Sequence, residues 1–182
     1  MWKTDNILLL SATDLEHDCK ELFGIPIFIT GIGKVNAAVN TTRLINEYNP
    51  DLVINFGSCG NLKDYRIGDV LEVGSVLNDI DTLGFNETEP IQLKVNSGIK
   101  CLTTDHMYDS AHDDYVESYM EKIDDCDIID MELFSIAESC RIANKFLYSY
   151  KWVSDDGSNG QWLENAKAGF SNFKQIFKSK HL

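Results

Sequence analysis

A chain of 182 residues is long enough for one domain with a sizeable core and too short for two ordinary ones. Its 43% hydrophobic and 25% charged residues are the composition of a globular protein. The formal charge of -13, from 16 basic and 29 acidic residues, argues against nucleic acid and anionic membrane surfaces as partners, and leaves neutral or zwitterionic small molecules.

In chain order, Asn6–Leu10 reads as a buried strand and Asp14–Leu22 as a short helix. Ile25–Ile29 is a second strand, ending in the glycine turn Gly31-Ile32-Gly33-Lys34. The helix that follows has Val35, Ala38, Val39, Thr42 and Ile45 on one face, and Asn49-Pro50 stops it. Leu52–Phe56 is a strand running into the loop Gly57-Ser58-Cys59-Gly60-Asn61. Val70–Leu77 and Ile99–Thr103 add strands, separated by a polar, irregular stretch from Asn78 to Ser97. A helix is expected within Asp113–Lys122, and another after Glu132, where Leu133, Ile136, Ala137 and Cys140 share a face. Phe146–Val153 is the last strand, and Trp162, Ala166, Phe170, Phe173 and Phe177 mark the buried face of one closing helix. Strands alternating with helices predict a single α/β domain over residues 1–182, with a central, mostly parallel sheet flanked by helices.

No apolar run reaches the length of a membrane span, and Ile7–Leu10 is too short for a signal-peptide core. The five cysteines are odd in number, scattered and without a C-x-x-C pair, so a reduced, cytoplasmic setting is expected. Gly31-Ile32-Gly33 lacks the third glycine of a dinucleotide fingerprint, and no cofactor is expected. Asp105, His106, Asp109, His112 and Asp113 form a polar cluster whose histidines are not at i, i+4 spacing; it reads as a loop leading into a helix, and no metal is assigned. His17 and His181 read as exposed side chains.

Asp130 and Glu132 stand at a switch from strand to helix, the end of an open α/β sheet where ligands bind and where carboxylates suit the positive helix end. Together with Gly31-Ile32-Gly33-Lys34-Val35-Asn36-Ala37-Ala38, Gly57-Ser58-Cys59-Gly60, Gly68-Asp69-Val70 and Ser154-Asp155, the segment Asp130-Met131-Glu132 resembles, in order, the purine nucleoside phosphorylase and nucleosidase superfamily. The likeness covers residues 12–156 and is nearest to the 5′-methylthioadenosine/S-adenosylhomocysteine nucleosidases. It implies a nucleoside phosphorylase-like mixed sheet, a homo-oligomer (a dimer favoured) and hydrolysis of a purine N-glycosidic bond. By that resemblance Glu132 holds the ribose hydroxyls, Met131 packs on the sugar, and Asp155, preceded by Ser154, protonates the purine. Glu16 matches the carboxylate that activates water, and Ser58 lies beside the nucleophile. A solvated helix residue is the other reading of Glu16.

The chain also departs from that pattern. Asp130 stands where the family has glutamate, and Asp156 beside Asp155 competes for the acid's role. His106, Met107 and Tyr108 occupy the base-binding segment, Met107 being assigned to substrate binding. The chain is shorter than typical members, lacking the hairpin between the first helix and Gly31. A phosphate-dependent phosphorylase and a non-catalytic nucleoside-binding protein are the alternatives. The superfamily's phosphorylases carry an arginine just before the glycine-serine loop, where this chain has Asn55-Phe56.

Overall fold

The computed structural model describes residues 6–79, 89–109, 117–157 and 161–182. Strand β1 (Ile7–Ser11) is buried at every position, as a strand covered on both faces must be. The helix expected at Asp14–Leu22 is not there. A single 3-10 turn, Asp14–Glu16, gives way at His17 to extended backbone, and Glu21–Leu22 forms β2. The reason is tertiary: Glu16 and His17 both turn inward and are buried, which a solvated amphipathic helix would not allow. His17 packs against Phe56 and Phe170, and its Nδ1 lies 2.7 Å from the Cys19 carbonyl. β2 pairs antiparallel with β3 (Ile25–Ile29) through Phe23 and Gly24, both at positive φ, so a short hairpin does precede Gly31.

Helix α1 (Lys34–Tyr48) starts after Gly33 and ends at Asn49 in the left-handed region. Its buried residues are Ala37, Thr41, Leu44 and Ile45, not the Val35-Val39 stripe, which is 76% and 61% exposed at its two valines. The helix carries two apolar stripes, and the one containing small Ala37 lies on the sheet. β4 (Leu52–Asn61) runs straight through the expected glycine loop. Its glycines serve close approach, since a Cβ on Gly60 would lie 2.8 Å from Ile129 Cγ2.

The expected strand at Val70–Leu77 is two strands, β5 (Val70–Glu72) and β6 (Ser75–Asn78). The break falls at Gly74, where a Cβ would lie 1.9 Å from the Ser97 carbonyl oxygen. β7 (Ile91–Gln92), β8 (Lys100–Thr103), α2 (Glu117–Asp125), β9 (Ile128–Asp130), α3 (Leu133–Ile142) and β10 (Phe146–Asp155) follow. Parts of the stretches expected at Asn78–Ser97 and Asp113–Lys122 lie outside the described residues.

The described strands form one mixed sheet of ten, in the order β2-β3-β1-β4-β9-β8-β6-β7, with β10 against β4 and β5. β10 runs parallel to β4 from Phe146 opposite Leu52 to Asp155 opposite Gly60. β1 and β9 therefore share the other edge of β4, β1 along Leu52–Asn55 and β9 at Gly60–Asn61. Phe56–Cys59 lies in the gap between them. One face of the sheet packs on α1 and α3 through Leu8, Leu10, Val53 and Ile136; the other carries Leu9, Ile54, Phe56 and Trp152.

The closing segment is two helices, α4 (Gln161–Asn165) and α5 (Phe170–His181). Phe170, Phe173 and Phe177 are buried as expected, with Phe173 stacked 4.6 Å from Phe56. His181 is buried as well, its Nε2 2.8 Å from the Tyr150 hydroxyl. Between the helices, Trp152 Nε1 donates to the Ala166 carbonyl at 2.8 Å, and a Cβ on Gly169 would lie 2.2 Å from Trp152 Cβ. Gly169→Ala should therefore lower the free energy of unfolding by roughly 1–3 kcal/mol through overpacking, read as an earlier midpoint in urea.

Candidate active site

A pocket opens beyond the ends of β1, β4, β9 and β10. Glu16, Ser58, Met107, Met131, Glu132 and Asp155 all line it, so it gathers nearly every residue singled out in the sequence. Ser154 sits directly behind Asp155.

Glu16 is delivered by the 3-10 turn after β1. Its Oε1 accepts from the Ser58 backbone N–H and the Ser58 hydroxyl, both at 2.7 Å, and its Oε2 accepts from Ser11 Oγ at 2.8 Å. The carboxylate thus fills the gap left between β1 and β9 along β4. Only glycine at position 57 permits this, since a Cβ there would lie 2.8 Å from Glu16 Oε1. Glu16 is a buried, fixed carboxylate, and the solvated alternative does not hold.

Glu132 stands where β9 gives way to α3. Its Oε1 accepts from the Gly33 N–H at 2.9 Å, tying it to the start of α1. Burial, reinforced by the negative charge of Asp130, raises its carboxyl from the ordinary 4.5 to about 7, against the opposing pull of Lys151 and the Gly33 N–H. Asp130 is already engaged within the fold. It accepts from Thr103 Oγ1 at 2.6 Å and the Leu133 N–H at 2.9 Å, and pairs with Lys151 Nζ at 2.8 Å, both side chains almost wholly buried. Burial opposes the Lys151 ammonium, but the charges of Asp130, Glu132 and Glu16 outweigh it and hold its pKa above the ordinary lysine value.

Asp155 closes the other side. Its Oδ2 accepts from Ser154 Oγ at 2.7 Å and its Oδ1 from the Gly157 N–H at 3.1 Å. Asp156 is exposed and does not line the pocket. His106, Met107 and Tyr108 are all at the wall, Met107 being 57% exposed. Of the polar cluster around them, His112 and Asp113 lie outside the described residues. Among the described residues, no three His, Cys, Asp or Glu side chains converge as a metal site.

Sequence reasoning missed two participants. Lys151 lies within an apolar strand, and only the topology brings it under Asp130 and Glu132. Trp162, assigned to the core stripe, lines the pocket and donates from Nε1 to Ser58 Oγ at 2.9 Å. An indole N–H needs a partner when covered, and its place soon after Asp155 was the available signal.

The raised carboxyl of Glu132 has a consequence for stability. Between 4.5 and about 7 the folded state holds a proton that the unfolded state has released, so stability falls as pH rises through that window. Glu132→Gln should be more stable than the unsubstituted protein at pH 8, by up to about 3 kcal/mol. The advantage should vanish below about pH 4, as followed by thermal melting across pH.

Comparison with known proteins bears on the fold that carries this pocket. The family model described as Phosphorylase superfamily matches residues 23–96. A 5′-methylthioadenosine/S-adenosylhomocysteine nucleosidase of Oceanobacillus iheyensis is 30% identical over 140 residues, 64% of this chain and 61% of the relative. The chain thus spans about three fifths of the length of that curated relative. The 5′-methylthioadenosine/S-adenosylhomocysteine nucleosidase of Neisseria meningitidis, solved with methylthio-immucillin-A, superposes with a TM-score of 0.77 at 21% identity, covering 95% of this chain and 98% of that one. The native futalosine hydrolase of Helicobacter pylori gives 0.78 at 18% identity, with 97% of each chain covered. At those identities the structural likeness is one of fold. The phosphorylase superfamily model and the Oceanobacillus relative each match part of the chain, and the solved nucleosidases share its fold.

Proposed function

We propose that the protein is a purine nucleosidase, hydrolysing the N-glycosidic bond of a nucleoside of the methylthioadenosine or S-adenosylhomocysteine type to free base and free sugar. One observation carries the reading: Glu16, a buried carboxylate held by three donors, opens onto the same pocket as Glu132 and Asp155. Bond cleavage puts positive charge on the sugar and negative charge on the leaving base. Glu132, as carboxylate, binds the sugar hydroxyls and stabilises the cationic ring. Asp155 gives a proton to the purine, Glu16 takes one from water, and the resulting hydroxide adds to the anomeric carbon. Met131 packs on the sugar, Met107 at the base, and Ser154 and Ser58 orient the two catalytic carboxyls.

Water is favoured over phosphate because the cation that a phosphate dianion needs is not at hand. Of the chain's three arginines, Arg43 pairs with Glu47, Arg66 with Asp69 and Arg141 with Glu138, and none is among the described residues at the pocket wall.

We also infer a homodimer in the cytoplasm. The five thiols are unpaired, as in a reducing compartment. Exposed Val35 and Val39 of α1, with Ile142 of α3 at 73% exposure, flank a groove lined by Ala38, Thr42, Phe134 and Ile142. Such an apolar face on both helices suits a self-complementary contact. Val39→Asp should convert a dimer to monomers in analytical ultracentrifugation; an unsubstituted protein that already sediments as a monomer contradicts the assignment.

Methylthioadenosine, S-adenosylhomocysteine and adenosine, incubated with and without phosphate, test the activity. Adenine and a reducing sugar should appear at a rate indifferent to phosphate. Asp155→Asn and Glu16→Gln should each lose ~10²–10⁴-fold while Asp156→Asn stays near the unsubstituted rate. A sugar 1-phosphate product would make the protein a phosphorylase, and tight binding without turnover a binding protein.

A further inference from the structure

Trp162 stands apart from the other buried or half-buried aromatics. It belongs to none of the packed apolar clusters of the described residues, and it is the member of α4 that reaches the pocket. Its indole N–H ends 2.9 Å from Ser58 Oγ, which in turn lies 2.7 Å from Glu16 Oε1. The chemistry of these groups fixes the direction of that chain. An indole nitrogen donates and cannot accept, so Ser58 Oγ accepts from Trp162. The hydroxyl has a single proton, and with the indole on its oxygen that proton is left for Glu16. Ser58 then presents two donors, its own N–H and O–H, to one carboxylate oxygen. The Ser11 hydroxyl at the other oxygen is less constrained, since the Thr13 carbonyl lies 3.1 Å from it as a competing acceptor. Of the two serines that hold Glu16, Ser58 is the one whose proton is aimed by a third group.

We propose that Trp162 is a positioning residue for the water-activating carboxylate: its N–H orients the Ser58 hydroxyl toward Glu16, and through that hydroxyl fixes the carboxylate that faces the pocket. The assignment rests on the nucleosidase reading of Glu16 given above. It makes Trp162 act through Ser58 rather than on the ligand. Two consequences follow. Loss of the N–H impairs turnover more than binding, and it has no effect once the Ser58 hydroxyl is gone.

Trp162→Phe keeps a ring at the pocket wall and removes the N–H. With methylthioadenosine as substrate, kcat should fall roughly tenfold, the scale of one hydrogen bond in a chain ending on a charged group, while KM changes less than about twofold. In a Ser58→Ala background the same substitution should change kcat less than about twofold. Equal losses in the two backgrounds, or a loss confined to KM, overturn the proposal by making Trp162 a packing or ligand-contact residue. A second measurement does not depend on turnover. In protein labelled with ¹⁵N at the indole, the Trp162 signal is the one missing from Trp162→Phe. Its exchange with solvent should be slow, and at least about tenfold faster in Ser58→Ala. Exchange indifferent to Ser58→Ala overturns the hydrogen-bonded chain itself. If the unsubstituted protein releases no base, the nucleosidase reading falls and this assignment with it. If it is active and the two backgrounds respond alike, this assignment alone falls.

Discussion

Beneath the pocket, the ammonium of Lys151 and the carboxylate of Asp130 meet at 2.8 Å with almost no access to solvent. Lys151 comes from β10 and Asp130 from the end of β9, and Asp130 also holds Thr103 of β8 and the first N–H of α3. Four elements that form the floor of the site are therefore joined through one carboxylate. Such a pair adds little net stability, because both ions have left water, but removing either partner would strand a buried charge. Its larger effect is on the neighbours. Glu16, Asp130 and Glu132 place three carboxyl groups around one lysine. Asp130 makes the direct pair with Lys151, and at Glu132 burial and the charge of Asp130 outweigh the pull of the lysine, so its carboxyl is raised to about 7.

Glycine makes this crowding possible. In register, Gly57 of β4 lies beside Lys151 of β10, and the missing side chain at 57 is the space into which the Glu16 carboxyl fits. A glycine-serine segment drawn into a strand is a different device from a glycine loop. A loop curls and gathers several amides around an anion. This strand offers the single free amide of Ser58 in the gap between β1 and β9, and a carboxylate of the protein's own has taken it.

Much of the site was legible in the sequence because its pieces are local signals. Asp130-Met131-Glu132 lies at a change of period from strand to helix, Ser154-Asp155 at the end of an apolar run, and Gly33 before a helix. Each of those signals is carried by immediate neighbours in the chain. The surroundings were less legible wherever distant segments decided the outcome. Asp14–Leu22 has the pattern of a helix, yet the attraction of Glu16 to Ser11 and Ser58 and the packing of His17 on Phe56 and Phe170 prevail over it. On α1 two apolar stripes compete, and nothing in the helix itself says which will meet the sheet. His181 looked exposed because its partner, Tyr150, is on another element. Trp162 looked like core because an apolar spacing does not distinguish a ring that packs from a ring that donates.

The order of strands in space also bears on how the chain acquires its shape. Of the described strands β10 comes last in sequence, but it occupies a middle place, lying along β4 on one side and β5 on the other. Until residues 146–155 arrive, β4 presents an open, apolar edge of ten residues, the kind of edge that pairs with other chains. Without Tyr150 and Trp152, α5 keeps only Phe56 of β4 from its aromatic floor in the sheet, and Asp130 lacks the Lys151 ammonium that pairs with it. Assembly therefore depends on contacts distant in sequence, which form slowly and leave sticky surface uncovered while they form. The step that seats β10 between β4 and β5 is the same step that brings Lys151 beneath the pocket and Asp155 to its wall.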